Sequence, residues 1–239
     1  KIITIIGVAM LSSFFWAIYY QEENIYGMLL ASLITITFGI AMSLINRKKD
    51  YELSYREGFA IVSLGWVVAS FFGTLPFILG SHYFSFAEAF FETVSGFTTT
   101  GATIITDIEA LPKSLLFWRS LTQWLGGMGI MALFLAVISG IGSRANQIFR
   151  AEIPGPVSDK ISPRIKETAR ILWFTYVVLS SILLILLYVM GMDFFDSLCH
   201  TFSTMATGGY STKNSSITSY SPLIQWTIIA LRYPRLAAL

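Results

Sequence analysis

Two stretches of the chain hold the residues best suited to chemistry. Phe86 to Thr103 reads F-A-E-A-F-F-E-T-V-S-G-F-T-T-T-G-A-T, and Phe194 to Ser211 reads F-F-D-S-L-C-H-T-F-S-T-M-A-T-G-G-Y-S. A shift of 108 positions lays one on the other without a gap: Phe86 meets Phe194, Glu88 meets Asp196, Thr93 meets Thr201, Ser95 meets Ser203, Thr99 meets Thr207 and Gly101 meets Gly209. About ten residues of each can form a short helix, while the Thr- and Gly-rich remainder resists one. Thr98-Thr99-Thr100-Gly101 and Ala206-Thr207-Gly208-Gly209 suit a cation site built from backbone carbonyls. Such a site replaces an ion's water shell with peptide oxygens, and it needs Gly where a dihedral is unusual and small or hydroxyl side chains behind the loop. The short helices would aim their negative C-terminal ends at the ion. Neither loop carries a carboxylate, which would attract cations with less discrimination.

The elements that must position these loops are membrane helices. Of 239 residues, 54% are hydrophobic and 13% charged, against about 25% charged in soluble domains. Spans of the required length are Ile2 to Tyr20, Tyr26 to Ile45, Gly58 to Leu79, Leu115 to Ile138 and Ile171 to Met190, with a sixth starting near Leu223. The run after Lys1 passes through Phe14, Phe15, Trp16 and Tyr19 with no small-residue cleavage site, so it reads as a span and not as a signal peptide. Gln21 to Asn24 is long enough only for a turn. A single Cys199 excludes an intramolecular disulfide, and no C-x-x-C pair points to a metal or redox site.

Positive charge sorts the loops. Arg47, Lys48, Lys49 and Arg56 flank one loop, and Arg144, Arg150, Lys160, Arg164, Lys166 and Arg170 mark the stretch from 142 to 170, whereas Lys113 and Lys213 stand alone on the other side. The bias places the N-terminus and the two basic loops in the cytoplasm. That holds only if each repeated stretch dips into the membrane and returns on the outer side. Non-helical backbone at such depth is tolerated where it lines a cavity.

The expected fold is an all-α integral membrane protein of about six transmembrane helices with two re-entrant pore-helix and filter loops. Its organisation is two N-terminal helices and a cytoplasmic loop over 1–57, a first pore repeat over 58–141, a cytoplasmic linker over 142–170 and a second, incomplete repeat over 171–239. Leu115 meets Leu223 and Trp118 meets Trp226 at the same shift, but Gly126 would meet Pro234, which is expected to break the last helix after Leu231.

Several side chains admit two readings. Gly126, Gly127 and Gly129 either line the pore, permit a bend or let helices approach closely, and close packing is favoured. Arg119 either snorkels to the headgroups or serves the pathway. Glu88, Glu92 and Asp196 either gather cations at the mouth or, for Glu88 and Asp196, favour the first turns of the short helices. His82 and His200 fit no metal spacing, and His200 reads as a packed, hydrogen-bonded side chain in preference to a proton relay. Pro154, Pro156 and Pro163 are expected to keep the stretch from 142 to 169 from forming one long helix.

The two loops, with W-R-S-L-T-Q-W-L-G-G-M-G-I at Trp118 to Ile130 and E-I-P-G-P-V-S-D-K-I-S-P-R-I-K-E-T-A at Glu152 to Ala169, resemble the Trk branch of the Trk/Ktr/HKT potassium transporters. The resemblance implies potassium uptake across the cell inner membrane, with H+ or Na+ as possible coupling ions and no other cofactor. It makes Thr98 to Gly101 and Ala206 to Gly209 the first and second filter strands, with K+ bound there alone. It implies four pore repeats behind two extra helices, so the chain is expected to be an N-terminal half or a truncated form. It also implies membrane lipid around the protein, assembly as a homodimer or with further pore repeats, and a cytosolic nucleotide-binding regulatory subunit docking on the loop from 142 to 169. Nucleic acid is not an expected partner. The rival reading is a non-conducting structural or assembly fragment. An enzyme is disfavoured, because no nucleophile with its base, H-E-x-x-H or phosphate-binding Gly loop occurs.

Overall fold

The structure is a computed structural model that describes residues 2–45, 55–80, 84–129 and 161–237. The chain is helical in α1 (Ile2–Tyr19), α2 (Ile25–Ile45), α3 (Tyr55–Gly73), α4 (Leu75–Gly80), α5 (Phe86–Phe97), α6 (113–129), α7 (Ile161–Val189), α8 (Phe194–Met205) and α9 (Pro222–Ala237). Among the described residues four helical stretches are long and apolar enough to cross a membrane: Ile2–Tyr19, Ile25–Ile45, Ser63–Gly80 and Glu167–Val189. Phe15, Phe174 and Val189 on these helices are 66%, 70% and 76% exposed, an arrangement suited to lipid and costly in water. The protein is an all-helical membrane protein.

Helices α1 and α2 form a hairpin closed by small residues. A Cβ on Gly7 would lie 2.7 Å from the Ile36 side chain, and one on Gly39 would lie 2.6 Å from the Thr4 amide, so these glycines let the backbones meet. Buried Ser32 and Thr35 return their hydroxyls to the carbonyls of Met28 and Ala31 on their own helix. The hairpin turn then reaches forward to α6. The Glu22 carboxylate accepts from the Ser114 amide at 3.2 Å and from its hydroxyl, and the Asn24 amide donates to the Ser114 hydroxyl at 3.0 Å. A carboxylate there satisfies donors that a helix N-terminus leaves unpaired.

The span expected from Gly58 to Leu79 is divided in two at Thr74. Pro76 lacks an amide hydrogen, and the Phe77 amide bonds to the Thr74 carbonyl at 3.0 Å. The Gly73 carbonyl accepts instead from the Trp118 indole at 2.8 Å, which ties the break to α6.

Helix α7 begins about ten residues before the expected Ile171, and Pro163 does not prevent it. The proline sits in the first turn, where an amide hydrogen would have no intrahelical partner. The part of the basic loop from 142 to 160 lies outside the described residues, as do residues 130–138 of the expected fourth span. Helix α9 likewise runs on through Pro234 to Ala237, contrary to the expected break after Leu231. Pro234 stands three residues from the end of that helix, where losing one donor interrupts a single bond.

The core has two parts. One gathers Met10, Phe77, Ala89, Phe97, Leu115 and Trp118 from α1, α4, α5 and α6; the other gathers Tyr176, Leu183, Leu187, Met205, Ile224 and Ile228 from α7, α8 and α9. Trp124 and Leu125 of α6 pack against both.

Candidate functional site

Each Thr- and Gly-rich loop follows a short, well-capped helix. Ser85 caps α5, with a reciprocal pair in which the Ser85 amide donates to Glu88 at 2.8 Å and the Glu88 amide donates to the Ser85 hydroxyl at 3.4 Å. These contacts hold the Glu88 carboxyl below the usual carboxylate range. Glu88 therefore serves the helix start. Asp193 caps α8 by accepting from the Phe195 amide at 3.0 Å.

Beyond the helices the two loops repeat each other in the backbone. The capping residues Thr98 and Ala206 are right-handed, with φ of −80° and −79°. Thr99 and Thr207 follow in the left-handed region at φ 57° and 56°, and Gly101 and Gly209 have φ of 74° and 91°. Hydrogen bonding follows the same shift: the Thr100 amide donates to the Ser95 carbonyl at 3.0 Å and the Gly208 amide to the Ser203 carbonyl at 2.9 Å. Left-handed non-glycine residues are uncommon and cost strain, so a matched pair at corresponding positions marks a constrained feature.

The loops also meet. A Cβ on Gly101 would lie 1.9 Å from the Gly208 carbonyl oxygen, and one on Gly208 would lie 2.3 Å from the Gln123 amide carbon. Gln123 of α6 is fully buried and accepts from the Tyr210 amide at 3.2 Å. Its Nε2 has no hydrogen-bond partner among the described residues. Gly126 supports the first loop from behind, since a Cβ there would lie 2.0 Å from the Phe97 carbonyl oxygen, and Gly129 faces the Trp66 ring. Close approach therefore accounts for both glycines.

The carbonyls of the two loops differ in occupancy. Among the described residues no donor reaches the carbonyls of Thr98, Thr99, Thr100 or Gly101. In the second loop the Arg232 guanidinium donates to the Thr207 carbonyl at 2.8 Å. The α5 and α8 C-termini lie immediately before these groups, so each loop carries the negative end of a helix dipole.

Behind the first loop lies a buried charged network. Arg119 and Glu92 are each 1% exposed, with Arg119 Nη2 2.7 Å from Glu92 Oε1 and its Nε donating to the same oxygen at 2.8 Å. Neither snorkelling of Arg119 nor cation gathering by Glu92 survives this: the two neutralise each other, as burial demands. The Thr103 hydroxyl donates to Glu92 at 2.9 Å, and the Tyr210 ring lies 4.1 Å below the guanidinium carbon. The Tyr210 hydroxyl donates to the Glu92 carbonyl at 2.8 Å and approaches the Ala102 carbonyl at 3.4 Å.

The second loop has a different anchor. Asp196, 7% exposed, accepts from the Thr212 hydroxyl at 2.7 Å and the Tyr220 hydroxyl at 2.8 Å, so it holds the loop's exit and not an ion at the mouth. His200 is buried with its ring edge-on to Tyr220, 5.3 Å between centroids, as a packed side chain, but contrary to the expected hydrogen bonding its Nε2 has no partner among the described residues. His82 lies outside the described residues. Sequence reading singled out neither Tyr210, Gln123 nor Arg232 as reaching the loops. Only the Arg119 and Glu92 charges within apolar sequence signalled the network.

Residues 26–232 match a family model described as TrkH, cation transport protein. Among curated relatives, the Trk system potassium uptake protein TrkH of Escherichia coli (strain K12) is 48% identical over 189 residues, covering 78% of this chain and 39% of that protein. The protein of the same description from Vibrio parahaemolyticus is 39% identical over 218 residues, covering 90% of this chain and 45% of that protein. An uncharacterized cation transporter of Methanocaldococcus jannaschii is 34% identical over 215 residues. The crystal structure of the potassium transporter TrkH from Vibrio parahaemolyticus superimposes with a TM-score of 0.82 at 34% identity, covering 96% of this chain and 46% of that one. The chain thus spans about two-fifths to just under half the length of these relatives.

Proposed function

Because the chain belongs to the TrkH family of cation transport proteins, we propose that it supplies two strands of a carbonyl-lined potassium filter: Thr98 to Gly101 and Ala206 to Gly209. The observation that carries this reading is the matched backbone of the two loops, left-handed at Thr99 and Thr207 and of positive φ again at Gly101 and Gly209. The first loop's carbonyls have no competing donor among the described residues, as an ion site requires. K+ is the transported substrate, and H+ or Na+ is the candidate coupling ion.

In this reading α5 and α8 are re-entrant, α1 starts in the cytoplasm of a cell whose inner membrane holds the protein, and both loops open outward. Residues 58–141 and 171–239 act as pore repeats, joined by a cytoplasmic linker over 142–170. Two strands do not enclose an ion, so a second copy or further repeats complete the ring. The basic linker is the proposed docking surface for a cytosolic nucleotide-binding regulator, by family resemblance.

A non-conducting role is favoured by one observation, the Arg232 guanidinium on the Thr207 carbonyl. Growth at low K+ of a strain lacking its own potassium transporters separates the two. Restoration by the chain, with ion preference altered by Gly101→Ser, supports the filter; restoration with unaltered preference overturns the filter assignment, and no restoration supports the non-conducting role.

A further inference from the structure

Resting on the filter reading, we propose that Tyr210, oriented by the buried Glu92–Arg119 pair, is a positioning residue that fixes the spacing of the two loops and thereby sets the preference for K+ over Na+. Tyr210 belongs to the second loop by sequence, yet its hydroxyl bonds the Glu92 carbonyl in α5 and reaches the Ala102 carbonyl just past Gly101. Its own amide is held by Gln123 of α6. One side chain therefore joins both loops and the helix behind them.

The charged pair gives that side chain its orientation. Arg119 covers the Tyr210 ring at 4.1 Å, and Arg119 is fixed by two short contacts to Glu92 Oε1. The Glu92 carboxylate is further held by the Thr103 hydroxyl at 2.9 and 3.1 Å and by the Ile104 amide at 3.4 Å. A buried ion pair adds little stability over an apolar replacement of the same shape, so its contribution here is directional. The second copy has no equivalent: a shift of 108 puts His200 at the place of Glu92 and Thr227 at the place of Arg119. The clamp runs one way, from the second loop to the first.

Spacing matters because Na+ is the smaller ion. In the cavity-size account of carbonyl filters, a set free to contract follows Na+, whereas one held open favours K+. Tyr210→Phe keeps the ring over Arg119 and removes only the hydroxyl. In the purified chain in detergent, amide deuterium exchange over residues 99–104 is expected to quicken about tenfold, as for loss of one hydrogen bond, with α1 and α2 unchanged. In liposomes, the ratio of K+ to Na+ uptake is expected to fall by a similar factor, about tenfold. Leu183→Ala, in the α7 core, is expected to lower the amount of folded protein without moving the ratio.

Unchanged exchange in Tyr210→Phe, or quickening spread evenly through α1 and α2, overturns the clamp, and this reading does not depend on ion flux. A changed ratio in Gly101→Ser beside an unchanged one in Tyr210→Phe also overturns the clamp and leaves the filter standing. If Gly101→Ser leaves the ratio unchanged, the filter assignment fails and the link to ion preference fails with it.

Discussion

The Tyr210 hydroxyl lies 3.4 Å from the carbonyl oxygen of Ala102, and these two residues occupy the same place in the two copies, 108 positions apart. One copy has a methyl group where the other has a phenol that reaches across to it. The residue at one of two equivalent positions thus reaches the backbone of the other, and the variants below separate what the copies share from what only one possesses.

Gly101 and Gly209 both have positive φ, but only Gly101 is crowded. Gly209→Ala meets nothing within 4 Å and is expected to cost only left-handed strain, about 1–2 kcal/mol. Gly101→Ala adds a collision with the Gly208 carbonyl and is expected to cost more and to disturb both loops. Chemical denaturation of the two variants, side by side in detergent, gives the order; equal losses would refute it.

Removing one partner of the buried ion pair leaves an uncompensated charge. Arg119→Met alone is expected to destabilise the protein by about 3–5 kcal/mol. Glu92→Gln combined with Arg119→Met, which removes both charges and keeps volume, is expected to recover part of that loss. A thermal-unfolding double-mutant cycle measures the coupling, and additive effects would contradict the pairing.

Arg232 donates to the Thr207 carbonyl, which the proposed filter would present to a cation. Arg232→Gln is expected to raise thallium uptake severalfold in the transport-competent assembly, whereas Arg232→Lys keeps the charge and is expected to resemble the parent. Equal uptake by all three proteins would show that this contact does not compete with the ion.

The α5 cap should be visible in pH dependence. The Glu88 carboxyl is held below its usual range by the Ser85 amide and hydroxyl, so its contribution is present above the unfolded-state pKa of about 4.3 and is lost as pH falls through the lower folded value. Melting temperature between pH 6 and pH 3 (roughly the window around the carboxylate range) is expected to fall less steeply in Glu88→Gln than in the parent. Parallel curves would remove the cap from the account.

Much of this architecture was legible because it is periodic or repeated. The apolar runs of α1 and α2 announce spans, and the constant shift of 108 locates both loops and anticipates their matching dihedrals at Thr99 and Thr207. The interruption at Thr74 was not legible, since Pro76 stands in a run whose hydropathy continues unbroken. The start of α7 was misplaced because Pro163 counts as a breaker only outside a first turn. Charges inside apolar sequence flagged Glu92 and Arg119, yet their pairing depends on how α5 packs on α6 and has no local signature. Tyr210 was hidden by its own repeat, where Ala102 in the matching place suggested nothing beyond a small residue.

The polar hold of Glu22 on Ser114 bears on where α6 can begin. The acceptor precedes its donor by 92 positions, so the cap on α6 is supplied from far outside its own stretch of sequence. Without the turn between α1 and α2 the Ser114 amide would lose its carboxylate acceptor, so the start of α6 depends on two helices that precede it by most of the intervening chain.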